Sequence, residues 1–253
     1  MRIAAILWCA GALVVAPSAH AQTINIAAAA DLKFCLDEII GDFHNSHPAA
    51  EIHATYGSSG NFAAQIRQNA PFDLFFSADI DYPRELAKDG FATAEVRPYA
   101  VGRIVLWSTT IDASKLSLAD LARPQIEKIA IANPQHAPYG KRAEEALRTS
   151  GVWDQVQTKL VFGENIAQTA QFVQSSNAQV GIVALSLALN PQLKGSYTLI
   201  PDTLHKPLEQ AFVITKHGAD NPLAHAFADY LLTPAARRVM LRYGFALPGE
   251  AVR

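Results

Sequence analysis

The stretch Glu51-Ile52-His53-Ala54-Thr55-Tyr56-Gly57-Ser58-Ser59-Gly60-Asn61-Phe62-Ala63-Ala64-Gln65-Ile66 decides the fold. Its first six residues alternate polar and apolar, the period of a strand with one face buried. Gly57 to Asn61 is turn chemistry. Beyond it Phe62 and Ile66 recur at helical spacing among polar Gln65, Arg67 and Gln68. The reading is strand, Gly/Ser turn, helix.

The same unit repeats on both sides. Upstream, Ile24 to Ala30 is a short apolar strand, and Asp31 precedes a helical pattern of Leu32, Cys35, Leu36, Ile39, Ile40 and Phe43. Asp31 stands where an N-cap is expected. Downstream, Asp73 to Ser77 is a strand, followed by Ala78-Asp79 and a helix through Leu86 that Gly90 closes. Strands alternating with helices predict an α/β protein with mostly parallel sheets covered on both faces.

Val101 to Ser108 reads as one long apolar strand, after which the rhythm restarts with a short helix at Leu118 to Leu121, a strand at Lys128 to Ala132 and a helix at Gly140 to Ser150. A strand at Lys159 to Phe162, a helix at Ile166 to Gln174, a strand at Val180 to Val183 and a short helix at Leu185 to Leu189 follow. Ala211 to Thr215 is again a strand, and the chain closes with helices at Pro222 to Leu232 and Pro234 to Tyr243, each with Pro at an early position. Two lobes crossed by two strands account for this order. The boundaries are residues 22–103 plus 214–253 for lobe 1 and 104–213 for lobe 2.

Residues 1–21 read as a secretory signal peptide: Arg2, the apolar run Ile3 to Val15, then small residues at Ala19 and Ala21. The run is too short to span a bilayer. Cleavage after Ala21 would leave Gln22 to Arg253 in the periplasm, with 20 Lys and Arg against 23 Asp and Glu once Arg2 is lost. Nothing in that balance suggests nucleic acid. Cys35 is the only cysteine left after cleavage, so no internal disulfide forms, and its helical spacing marks it as a buried apolar residue. His44, His47 and His53 lack metal-ligand spacing and read as surface residues.

Ligands of open α/β sheets sit at the carboxyl ends of strands, where loops enter helices. Four loops qualify: Ala30-Asp31, Gly57 to Asn61, His136-Ala137-Pro138-Tyr139-Gly140 and Gly163-Glu164-Asn165-Ile166. Helix N-termini there bind anions without Lys or Arg. Ser58 and Ser59 add hydroxyls to the Gly/Ser loop. Taken alone, each of these Ser and Asp residues could equally be a helix cap.

Together, Ala28-Ala29-Ala30-Asp31-Leu32, Gly57 to Ile66, Ala70 to Asp79, Ala132 to Gly140, Val180 to Val183 and the closing Arg242-Tyr243-Gly244-Phe245 resemble, in order and over essentially the whole mature chain, the periplasmic molybdate-binding proteins of ABC transporters. The resemblance implies a two-lobed, type II-like periplasmic binding fold, molybdate or tungstate as ligand, delivery to an inner-membrane permease, a monomer, and no cofactor. The oxyanion would be held by Asp31, Ser59, Tyr139, Ile166 and Ala184, with Ser58 beside them, and without direct metal-ion ligands. Tyr139 and Ile166 would act mainly through backbone N–H groups. Ala184 stands where many relatives have Tyr, and Tyr139 could supply the missing hydroxyl. Asp31 stands where many have Ser. A carboxylate 4 Å from a bound anion is repelled by roughly 4 kcal/mol per unit-charge pair at an effective dielectric of 20. Asp31 therefore caps its helix with its side chain turned away, becomes protonated on binding, or accepts a proton from a protonated ligand. The last reading points to phosphate, and sulfate or a small carboxylate are further alternatives. A secreted hydrolase using Ser59, His136 and Asp31 is the enzyme alternative, and the Gly-x-Ser-x-Gly elbow it would want is absent.

Overall fold

The computed structural model describes residues 22–249, and the expected leader, residues 1–21, lies outside them. Lobe 1 opens with β1 (Gln22–Ala29), α1 (Lys33–His44), β2 (Ala50–Gly57), α2 (Ser59–Arg67), β3 (Leu74–Ser77), α3 (Asp81–Lys88) and β4 (Arg97–Gly102). The chain then crosses into β5 (Ile104–Ser108), β6 (Ile129–Ala132), α4 (Pro138–Thr149), α5 (Trp153–Val156), β7 (Leu160–Gly163), α6 (Ile166–Gln174), β8 (Val180–Ala184), α7 (Leu185–Ala188) and β9 (Ser196–Leu199). It returns through β10 (Leu208–Ile214) to α8 (Pro222–Leu231) and α9 (Pro234–Arg242).

The first sheet has the order β2-β1-β3-β10-β4 and the second the order β7-β6-β8-β5-β9. They share one plan. In each, three parallel strands feed helices at their carboxyl ends, and a strand from a crossing segment, β10 or β5, joins antiparallel and brings a second antiparallel strand beside it. Each sheet is mixed, with one strand, β10 or β5, opposed to four that run in one direction, so the expectation of mostly parallel sheets holds. A strand that enters from the other lobe starts at the edge between the lobes and runs away from it, antiparallel to the strands whose carboxyl ends reach that edge.

Two expectations are corrected here. The span Val101 to Ser108 is two strands in different sheets, broken at Arg103, whose guanidinium donates to the Gly244 carbonyl at 3.1 Å (Nε) and 3.0 Å (Nη2). The return crossing precedes Leu208 rather than falling between 213 and 214, because all of β10 pairs in the first sheet. Leu208 to Gln210 lacks the apolar continuity by which a buried strand is recognised, so the strand's start was hidden. β9, half-exposed at the sheet edge, was hidden for the same reason.

Strand β3 is continuously apolar because both its faces are covered. Leu74 and Phe76 pack with Ile24, Ile26 and Phe212 beneath α1, α8 and α9. Phe75 packs on the opposite face with Phe62, Ile66 and Leu86 of α2 and α3. Helix α1 buries Cys35, Leu36, Ile39 and Phe43 along one stripe. The second lobe has its own core around Trp107, Ile129, Ile131 and Ile182, and Ala29, Ala30 and Ala78 of lobe 1 join it, so the two lobes are in contact. The terminal turn closes the crossing from outside: Val101 and Ala246 exchange backbone hydrogen bonds of 2.7 and 3.0 Å.

Helix α4 lies close against β6 because residue 140 is glycine. A Cβ there would stand 2.1 Å from the Ala132 carbonyl oxygen, a backbone atom that cannot move aside. Gly140→Ala is expected to destabilise the fold by about 1–3 kcal/mol and to lower the melting temperature by roughly 2–10 °C, as measured by thermal unfolding under circular dichroism.

Candidate functional site

The strand-to-helix loops of both lobes meet at a small cavity lined by Ala29, Ala30, Asp31, Gly57, Ser58, Ser59, Ala78, Ala137, Pro138, Tyr139 and Ile166. Its volume is about 10 Å³, roughly the room of one water molecule. No Lys or Arg is among the lining residues. A wider depression of about 190 Å³ at the crossings, lined by Gly102, Arg103, Ile200 and His205 among others, shares no residue with it.

Three helices of nine or more residues begin at the cavity: α2 with Ser59, α4 with Pro138 and Tyr139, α6 with Ile166. Their first-turn N–H groups have no acceptor within the helix. Pro138 at the start of α4 has no N–H to lose and sets the backbone for the turn. Asn165 occupies the N-cap of α6 and accepts from Gln168 N at 3.0 Å, which satisfies one of the helix's first donors. Dipoles and N–H groups from three directions make this a place for negative charge.

Ser59 is fully buried, and its hydroxyl accepts the Ala78 N–H at 3.0 Å. With the oxygen so engaged, the proton of Oγ remains to be donated. Ser58 holds the other side of the loop: its Oγ is 2.9 Å from His136 Nδ1, and Gly60 N donates to the His136 carbonyl at 2.9 Å. These contacts run from lobe 1 to lobe 2. Arg142 Nη2 to Asp79 Oδ2 at 3.5 Å and Lys141 Nζ to Tyr82 Oη at 3.4 Å add two more along the same helix.

Asp31 does not cap its helix. It sits inside a 3₁₀ turn, Ala30–Leu32, and α1 follows only at Lys33 without a side-chain cap. Its carboxyl group is buried, with Oδ2 accepting from Tyr139 Oη at 2.9 Å and from Gln210 Nε2 at 2.7 Å. Its Oδ1 is buried without a hydrogen-bond partner. The Asp31 carbonyl accepts from Ser186 Oγ at 2.7 Å. The Tyr139 hydroxyl is thus already committed to Asp31 and is not a free donor for a ligand. Tyr99 Oη donates to Gln210 Oε1 at 2.7 Å, extending the chain of bonds to the crossing strands β4 and β10.

Burial pushes the Asp31 pKa up from 3.8 to about 6, against the lowering effect of hydrogen bonds from Gln210 and Tyr139. Burial also holds the Tyr139 and Tyr99 phenols well above their ordinary value, with the Asp31 charge adding to both. Gly102 makes room for the network, since a Cβ there would lie 2.3 Å from Tyr139 Oη and 2.7 Å from Gln210 Nε2.

The structure brings Asp31, Ser58, Ser59, Tyr139 and Ile166 to one cavity and leaves Ala184 out of its lining. Ala184 precedes a helix of only four residues, and the Leu185 N–H at its start donates to the Arg103 carbonyl at 2.9 Å. The hydrolase arrangement of Ser59, His136 and Asp31 is not assembled. His136 meets Ser58 instead, Ser59 is bonded to Ala78, and Glu164 is 3.6 Å from His136 Nε2 and mostly in solvent. Gln210 and Tyr99 carried no loop signal in the sequence; only the register of β10 between β3 and β4 exposes their part. Among the described residues no group of three or more His, Cys, Asp or Glu could hold a metal ion.

Two lobes of one topology, joined by paired crossings and closed over a cavity of neutral donors, define a two-lobed solute-binding protein. A family model for bacterial extracellular solute-binding proteins matches residues 24–246. The chain belongs to that family. Among its relatives, the molybdate-binding protein ModA of Azotobacter vinelandii is 37% identical over 94% of this chain and 95% of its own length. The molybdate-binding protein ModA of Rhodobacter capsulatus is 36% identical over 81% of each chain. The solved structure of the Azotobacter vinelandii periplasmic molybdate-binding protein superposes with a TM-score of 0.82 at 31% identity, covering 89% of this chain and 99% of that one.

The raised Asp31 pKa has a stability consequence. A carboxyl whose folded pKa exceeds its unfolded value supports the fold at low pH, and that support is lost as pH rises from about 4 through about 6. Asp31→Asn keeps an acceptor for Tyr139 and Gln210 and removes the charge. It is expected to match the parent near pH 4 and to exceed it above pH 7 by up to about 3 kcal/mol, measured by urea unfolding at both pH values.

Proposed function

We propose that the protein captures molybdate or tungstate between its lobes, outside the cytoplasm, and delivers it to a membrane permease of the ABC type. The observation that carries this reading is the convergence of three helix N-termini and the Ser59 hydroxyl on a cavity lined by no cationic side chain. Two relatives above 35% identity with molybdate binding in their names support it.

The ligand-binding groups are the Ser59 hydroxyl, the N–H groups at the starts of α2, α4 and α6, and Asp31. Donors spread over both lobes are brought together only when the lobes meet, so binding and closure are one event. Closure strips water from the anion, and fixed N–H dipoles replace it. Such a site discriminates by the distance at which donors meet oxygen and by the number of ligand protons it accommodates. The contacts from His136, Tyr139, Lys141 and Arg142 to lobe 1 hold the closed form that a permease recognises.

Export with cleavage after Ala21, action as a monomer, independence of any cofactor and binding without turnover complete the proposal. Among the described residues no helix is long and apolar enough to cross a membrane. The unpartnered Asp31 Oδ1 favours one other reading, a protonated oxyanion such as phosphate whose hydroxyl this oxygen accepts.

Calorimetric titration of residues 22–253 with molybdate, tungstate, sulfate and phosphate tests the assignment. Molybdate and tungstate are expected to bind, and at a hundredfold excess over Kd to raise the melting temperature by roughly 5–10 °C. Tight binding of phosphate or sulfate with no response to molybdate would sink it. Ser59→Ala removes a hydrogen bond to a charged ligand and is expected to raise Kd for molybdate by about 10- to 100-fold.

A further inference from the structure

Asp31 is the one carboxylate in the lining of a cavity whose other features all favour an anion. The geometry points to a specific resolution: we propose that Asp31 is the specificity-determining residue of the site, taking up one proton as the oxyanion binds and donating it from Oδ1 to a ligand oxygen. The inference rests on the oxyanion reading above and adds the proton to it.

The two oxygens of the carboxyl group are already distinguished by their surroundings. Oδ2 accepts two hydrogen bonds, from Tyr139 Oη and Gln210 Nε2, which is the full capacity of a carbonyl oxygen. Oδ1 has no partner and is shut off from water. A buried oxygen left unpaired is costly as a charge and serviceable as a hydroxyl facing an acceptor. The tetrahedral anion is that acceptor. The step balances: the buffer acid gives up one proton and is left as its base, the carboxylate gains the O–H bond, and the neutral acid donates a hydrogen bond to the unchanged dianion.

The surrounding groups leave the proton to Asp31. Tyr139 on α4 and Tyr99 on β4 are held protonated by burial, and Cys35 on α1 has its thiol pushed upward by the same cause. Gln210 on β10 and Ser186 on α7, which also contact Asp31, do not titrate. His136, bonded to Ser58 of the lining, is the other titratable group at the cavity and serves as the internal comparison. Gln210 and Tyr139 act as positioning residues that keep Oδ2 the acceptor and turn Oδ1 to the donor role.

Titration of the mature chain with sodium molybdate in buffers of different ionisation enthalpy, HEPES and Tris at pH 8, counts the protons exchanged. About one proton should be taken up per molybdate, the number falling as pH is lowered through 6, and Kd should rise about tenfold per pH unit between pH 7 and 9. In Asp31→Asn, whose amide donates without titrating, uptake should vanish and Kd become flat over that range. His136→Ala should retain the uptake. The proposal is overturned if the parent protein takes up no proton at pH 8. It is equally overturned if uptake persists in Asp31→Asn, which places the proton on the anion, or if His136→Ala binds molybdate without taking up a proton. Should Asp31→Asn fail to fold, the parent protein's proton count and its pH slope decide alone. Failure of the parent to bind any of the four oxyanions is a different result, which removes the functional reading and this proposal with it.

Discussion

A helix cannot satisfy its own first N–H groups, and much of this structure is arranged around that shortfall. Three helices begin at one point between the lobes, and a fourth connection, the 3₁₀ turn at Ala30–Leu32, closes the ring. The parallel strands β1, β2, β6 and β7 deliver these starts, because in each sheet they run toward the same edge. The antiparallel crossings β5 and β10 bring the two edges face to face. Topology thus converts an unavoidable deficit of each helix into a common binding surface.

The second dependence is the hydrogen-bonded chain from Tyr99 through Gln210 to Asp31 and Tyr139. It joins two strands of the crossing region, the first loop of lobe 1 and the lead helix of lobe 2. Its members are buried, so each bond is made in a low-dielectric setting where a lost partner is felt strongly. A change of charge on Asp31 is therefore communicated to groups that sit on the crossing strands. The cavity, the crossing strands and the lead helix of lobe 2 meet at one carboxyl group.

Most of the fold was legible because its signals are local. Alternation in Glu51 to Tyr56, the continuous run in β3 and the Gly/Ser turn each report a period or a turn within a few residues. The starts of β10 and the whole of β9 were not legible, since their polarity follows from sheet position rather than from their own pattern. The break at Arg103 inside an unbroken apolar run was hidden for a related reason: adjacent strands in two different sheets are both buried, and hydropathy cannot tell them apart.

The loops that line the cavity were equally visible, because glycine, serine and proline at helix starts carry their meaning in sequence. Ser59 and the α4 and α6 starts needed no tertiary information to be named. Asp31 did. An aspartate before a helix reads locally as a cap, and its actual partners lie 108 and 179 positions away. Ala184 likewise carried only a local signal, and the N–H next to it is consumed by Arg103 of the crossing segment. By itself the sequence determined that strands feed anion-binding helix starts, since periodicity and turn chemistry are short-range. Only the tertiary structure decided which side chains meet at the cavity and how strongly burial holds their protons, because burial and hydrogen-bond supply depend on residues that the fold brings together from distant parts of the chain.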